Sequence, residues 1–145
     1  MDNQRAAPFC YIGGKFSARF RLRTMRASIR AQGYLCESSW MDEEGGEYPV
    51  PRERALAGAR RDIAEVAVAD LFVLDTLDET PTGGREVEFG LYLQPLIVGA
   101  AAPIIRPAVL IGPVRNVFHE LAEWRCRDWS DGLEATADFR ARFSA

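Results

Sequence analysis

The sequence is poor in the residues that most often announce a chemistry. It has one histidine, His119, and three cysteines, Cys10, Cys36 and Cys126, with no CxxC pair and no short zinc-ligand spacing. The thiols therefore read as reduced, partly buried packing residues of a cytoplasmic protein. His119 has no serine or cysteine partner in triad context and reads as a surface or interface residue. The first residues, Met1 to Pro8, lack the apolar core of a signal peptide and read as a flexible N-terminal segment. The longest apolar stretch, Leu96 to Ile111, is interrupted by Pro103, Arg106 and Pro107, which argues against a membrane span. A basic excess is absent too. The formal net charge is -3, so a broad surface for a nucleic acid polymer is not expected. No repeat and no low-complexity tail interrupts the chain.

What is present is an ordinary globular mixture, 48% hydrophobic and 27% charged over 145 residues. That length fits one domain and can bury roughly two-thirds of the unfolded surface without metal or disulfide. Phe9 to Ile12 reads as a first strand, turned by Gly13 and Gly14. Ser17 is a candidate cap for a helix whose stripe is Leu22, Met25 and Ile29 and which Gly33 ends. The arginines Arg19 to Arg30 fill the other faces of that helix and read mostly as a solvated side. Tyr34 to Trp40 is a second strand candidate, followed by a polar loop to Pro51. A helix then runs to about Val68, with a strand at Leu71–Leu74, whose unbroken apolar run is covered on both faces. The third helix starts near Arg85. Ala108–Ile111 is the preferred fourth strand, and a short helix over Val117–Leu121, a strand at Trp124–Cys126 and a last helix over Ser130–Phe143 follow.

Strands alternating with helices predict an α/β chain with a five-stranded parallel sheet and right-handed crossovers. Ligands in such folds sit at the carboxyl ends of the strands. Four polar or glycine-rich segments should converge there: Gly13–Ser17, Trp40–Glu47, Asp75–Glu88 and Gly112–Asn116. Within the third, Glu88 is flanked by Val87, Phe89 and Leu91 and is a candidate for a partly buried carboxylate. Burial would raise its pKa and leave it poorly solvated, as suits a nucleophile. Glu86, off the Glu88 face by two residues, reads as a solvated acid. Asp62, Asp70, Asp75 and Asp78 surround the third strand, and each alone reads as structural or solvated.

Taken in order, Tyr11-Ile12-Gly13-Gly14-Lys15-Phe16-Ser17, Ser38-Ser39-Trp40, Ala69 to Leu74, Gly83-Gly84-Arg85-Glu86-Val87-Glu88-Phe89-Gly90 and Ile111 to Phe118 resemble the nucleoside 2-deoxyribosyltransferase superfamily. The resemblance runs from about Phe9 to Leu133 and is strongest to the short bacterial and phage branch, with a likeness also to the 2′-deoxynucleoside 5′-monophosphate N-glycosidases. It implies a single-domain, flavodoxin-like three-layer sandwich acting without a cofactor. It also implies catalytic roles for Glu88 as nucleophile, Tyr11 as its steadying hydroxyl and Asp62 as the acid near the departing base. Gly13, Gly14, Phe16, Ser17, Arg19, Trp40, Thr82 and Gly84 are the implied substrate contacts. Asn116 and Phe118 would reach a neighbouring subunit's pocket in a homodimer or larger homo-oligomer. The implied partners are small: a deoxynucleoside or deoxynucleotide and a nucleobase.

The implied reaction moves 2-deoxyribose between bases through a covalent ester on Glu88. Two alternatives stay open: hydrolysis of 2′-deoxynucleoside 5′-monophosphates, and a non-catalytic nucleotide-binding module. Thr82 bears on the first of these. It stands six residues before Glu88, where the transferases carry an aspartate and the nucleotide hydrolases a serine. A threonine donates a hydrogen bond without adding negative charge, and so favours a phosphate. Gly14, Lys15, Ser17 and Arg19 would complete such an anion site.

Overall fold

The structure is a computed structural model that describes residues 7–44, 49–79, 83–94 and 106–144. Four strands, β1 (Cys10–Gly13), β2 (Leu71–Asp75), β3 (Ala108–Ile111) and β4 (Trp124–Cys126), pair in that order, all parallel. The helices α1 (Arg19–Ala31) and α4 (Trp129–Ser144) pack together on one face, and α2 (Arg52–Val68) and α3 (Gly84–Leu93) on the other. This is a three-layer α/β arrangement. β1, β2 and β3 are buried along their whole length, as expected of a parallel sheet covered on both sides. An aromatic column ties the sheet to α3. Tyr11 meets Phe72 at 5.3 Å between ring centroids, and Phe72 meets Phe89 at 5.5 Å and Tyr92 at 5.2 Å.

Among the described residues the sheet has four strands, not five, and the missing one is Tyr34–Trp40. This segment does run beside β1, but only as a single bridge between Phe9 and Leu35. Cys10 N–H donates to the Leu35 carbonyl and Leu35 N–H to that of Pro8, both at 2.9 Å. The chain then turns away at Ser38, whose φ of 39° is left-handed. Side chains continue what the backbone ladder leaves undone. Ile12 N–H donates to Ser38 Oγ at 2.8 Å, and Trp40 Nε1 donates to the Ile12 carbonyl at 2.7 Å. The edge of β1 is satisfied without a strand, and Trp40 is delivered to its carboxyl end.

Several local expectations are corrected. Ser17 caps nothing: it lies in a 3-10 turn, Phe16–Ala18, that leads into α1, and neither helix start has a side-chain cap. The arginines of α1 are structural ties. Arg26 is buried and grips both oxygens of Asp42 at 2.8 and 2.7 Å. Arg21 reaches Asp75 at 2.8 Å, Arg23 the Met41 carbonyl, and Arg30 the Cys36 carbonyl. The short helix expected over Val117–Leu121 is present, as a 3-10 helix. His119 is wholly buried, not a surface residue, and Glu86 is half-buried and fully engaged, not solvated. The three cysteines are free and buried. Of the expected flexible segment 1–8, residues 1–6 lie outside the described residues, whereas Pro8 is buried and pinned by its bond from Leu35. No helix among the described residues is long and apolar enough to cross a membrane.

Candidate active site

A cavity of about 420 Å³ opens between the carboxyl end of β1, the middle of α2 and the start of α3. Its position follows from the fold. β1 ends in Gly13-Gly14, and both glycines are demanded by their neighbours. A Cβ on Gly14 would stand 2.6 Å from Leu22 Cδ1, and one on Gly13 would stand 2.9 Å from Phe72 and 3.5 Å from Glu88 Oε2. The glycine turn thus lets the α3 carboxylate come close to the end of the strand. Phe16 and Trp40 line the cavity with ring centroids 6.5 Å apart, two aromatic faces suited to a flat heterocycle.

Glu88 projects into the cavity from the second turn of α3. Burial, and then the negative charge of Asp62, push its carboxyl up to about 8. The Tyr11 hydroxyl works in the other direction, favouring the charged carboxylate beside it. Tyr11 is 1% exposed, and its hydroxyl meets no partner at hydrogen-bond geometry. Burial and the Glu88 charge drive its own pKa far above the usual phenol range. It is a buried donor held next to one carboxylate.

Asp62 faces the cavity from α2. Burial raises its carboxyl to about 7, against the opposing pull of Arg61, while Glu43 and Glu65 add to the rise. Its Oδ1 is buried without a hydrogen bond, although Arg61 Nη2 lies 3.8 Å away. Arg61 is turned to Glu43, and Glu65 takes the Ser39 N–H and hydroxyl. Glu43 is thus paired with Arg61 and Glu65 with Ser39, and the two raised carboxyls that line the cavity are Glu88 and Asp62, the latter with only the longer approach of Arg61. A pair of carboxyls whose pKa values are raised together can act as nucleophile and acid.

Of the residues singled out in the sequence, Gly14, Phe16, Trp40, Asp62, Gly84 and Glu88 line this cavity. Tyr11 and Gly13 lie beneath it, against Glu88. Ser17 is exposed and is not a lining residue. Arg19 folds back over Phe16 and Phe20, 4.3 and 4.5 Å from the ring centroids, and is not a lining residue. Thr82 lies outside the described residues, as do residues 45–47 of the Trp40–Glu47 loop and residues 95–105 of the segment before β3.

The Gly112–Asn116 segment does not reach the cavity. Asn116 caps the following 3-10 turn, accepting from Phe118 N–H at 2.9 Å, and donates to Glu86 at 3.0 Å. Phe118 stands 63% exposed. The wall that sequence reasoning missed is α2 itself. Ala55, Gly58, Ala59 and Asp62 fall at helical spacing, and their small side chains make room beside the acid. That stripe of small residues was the available signal. Arg54, one turn earlier, also lines the cavity and has no ion pair or hydrogen bond among the described residues.

The fold and site define an α/β chain with a carboxylate-bearing pocket at the carboxyl end of its sheet. No family model and no curated protein matches the sequence. Among solved structures, the chain is similar to a 2-deoxyribosyltransferase of the psychrotolerant bacterium Bacillus psychrosaccharolyticus, described as a biocatalyst for nucleoside synthesis. The two share 17% sequence identity and superimpose with a TM-score of 0.66, over 89% of this chain and 95% of the other. At that identity the likeness establishes a shared fold.

Proposed function

We propose that this protein transfers 2-deoxyribose between nucleobases through a covalent deoxyribosyl ester on Glu88. The observation that carries this reading is the Glu88 carboxyl at the cavity floor, with the unpartnered Tyr11 hydroxyl beside it and Asp62 across the cavity. A Glu88 oxygen attacks C1′ of the deoxynucleoside. The glycosidic C–N bond breaks, its electron pair goes to the base nitrogen, and Asp62 supplies the proton that makes the base a better leaving group. A second base then attacks C1′, Glu88 leaves as carboxylate, and the incoming base returns a proton to Asp62. Phe16 and Trp40 hold the base, and Gly13 and Gly14 leave room for the sugar beside Glu88.

Hydrolysis of deoxynucleoside 5′-monophosphates is the second reading. It is favoured by the open start of α3, where Gly83 and Gly84 have nothing within 4 Å of a Cβ and no side chain caps the helix. Such a terminus favours an anion. Of the charges that line the cavity, Glu43, Asp62 and Glu88 oppose a phosphate dianion and support transfer, whereas Arg54 favours the anion. A purely binding module has no use for a buried, poorly solvated carboxylate.

We also propose that two copies of the chain complete each site, since Val117 and Phe118 present exposed apolar side chains beyond the start of α3. Incubation with deoxyinosine, with and without adenine, tests the reaction. Deoxyadenosine formed only when adenine is present is expected. Free hypoxanthine and deoxyribose without any deoxyadenosine would refute transfer, and release of base from dCMP alone would select hydrolysis.

A further inference from the structure

Glu88 is not the only acid on α3 with a defined task. Two residues earlier, Glu86 receives three hydrogen bonds: from His119 Nε2 at 2.7 Å, Asn116 Nδ2 at 3.0 Å and Arg85 Nε at 3.2 Å. Burial alone would raise its carboxyl, yet these donors outweigh burial and hold it below the usual carboxylate range. His119 is wholly buried and is the sole histidine. Its Nδ1 accepts the Arg115 N–H at 3.0 Å, so Nδ1 carries a lone pair and the ring proton sits on Nε2, directed at Glu86. Nδ1 thus serves the loop after β3, while Nε2 faces Glu86 on α3 and has Asn116 Nδ2 beside it at 3.1 Å.

The surroundings make this link mechanically stiff. The His119 ring stands edge-on to Phe89 at 6.1 Å, and Phe89 flanks Glu88 on its other side. Asn116 Oδ1 holds the turn that presents His119, accepting from Phe118 and His119 N–H. Arg85 fixes the same helical turn to the end of β2 through the Asp75 and Asp78 carbonyls, at 3.0 and 2.6 Å. The α3 start has no side-chain cap of its own. What seats its first turn comes from outside the helix.

We propose that His119 is a positioning residue: through its Nε2–H bond to Glu86 it seats the first turn of α3 and so sets where the Glu88 carboxyl stands in the cavity. The chemistry of Glu88 rests on the function proposed above, but the seating does not, and it is measurable without turnover. A displacement of about 1 Å in a reacting group costs on the order of 100-fold in rate, so a link two residues from the nucleophile matters.

The test uses the geometry of amide side chains. Gln places its amide nitrogen near the position of His Nε2, whereas Asn places its amide near that of Nδ1. The Glu88 carboxyl is followed by 13C NMR in protein labelled at glutamate, with Glu88→Gln giving the assignment. In the unsubstituted protein burial and the Asp62 charge push it up to about 8, the midpoint expected there. His119→Gln is expected to keep that titration, and His119→Asn to move it toward the ordinary glutamate range as the carboxyl swings into water. Should the chain prove to turn over deoxynucleosides, kcat is expected to fall 10- to 100-fold in His119→Asn at nearly constant KM. Equal titrations in both variants, or the reverse order, would overturn the proposal. The unsubstituted protein gives a check that needs no variant to fold: a long-range 1H–15N spectrum of its single histidine. The Nε2–H tautomer with a slowly exchanging proton is expected, and an Nδ1–H tautomer would overturn the assignment. If the titrations follow the proposal and no deoxyribosyl transfer is found, the proposed function fails and the seating stands.

Discussion

Glu88 is costly to its own protein, and that cost is measurable. In the unfolded chain the carboxyl ionises near its ordinary value of 4.5, whereas in the fold burial raises it to about 8. The folded state therefore binds the extra proton between those values, and stability falls as pH rises from about 4.5 to about 8. Glu88→Gln removes this penalty. Its melting temperature is expected to exceed that of the unsubstituted protein at pH 8, with the gap closing toward pH 4.5, while turnover is lost. Equal melting at both pH values would contradict the burial. Asp62, raised to about 7, couples to Glu88, so the pH–rate profile belongs to the pair. A narrow bell is expected for kcat/KM. Activity falls below about 7 as both carboxyls protonate, and above about 8 as both ionise. Tyr11→Phe keeps the aromatic column and removes the hydroxyl that favours the charged carboxylate. It is expected to raise the Glu88 carboxyl further and so to shift the alkaline limb of that bell upward, a change visible in the same profile.

At the scale of elements, the sheet edge is the least ordinary feature. Ser38 and Trp40 replace a strand by answering the N–H and carbonyl of Ile12 from their side chains. Ser38→Ala leaves the buried Ile12 N–H without its acceptor, which costs about 1–3 kcal/mol. Chemical denaturation should show that loss with an unchanged denaturant slope, and an unaltered midpoint would count against the account. This is also where sequence reasoning reached its limit. The segment Tyr34–Trp40 has strand character at its start, and the left-handed turn at Ser38 diverts it. The other strands were legible because Leu71–Leu74 and Ala108–Ile111 are unbroken apolar runs bounded by turn residues. The arginines of α1 misled for a related reason: Arg26 continues the stripe of Leu22 and Ile29 by helical spacing, but a charge at a buried position is recognisable only once Asp42 is seen opposite it. Likewise His119 and Glu86, 33 residues apart, pair only because β3 returns the chain to the start of α3.

Over the whole molecule, the glycine turn after β1, Trp40, Asp62 and Glu88 were singled out from sequence, and the fold gathers them around one cavity. The small-residue wall of α2 and the internal use of Asn116 were not, because each depends on how a helix face is rotated against its neighbours. The exposed Val117 and Phe118 bear on assembly. Phe118→Asp is expected to shift sedimentation toward monomer and to lower turnover with it, and an unchanged sedimentation profile would remove the second copy from the account. The central claim is the covalent step on Glu88, and intact-protein mass spectrometry after acid quench addresses it most directly. Protein mixed with a 2′-deoxynucleoside in the absence of acceptor base is predicted to gain the mass of one deoxyribosyl group, located by peptide mapping on Glu88 and absent from Glu88→Ala. Base release with no adduct, or an adduct on any other residue, would contradict it.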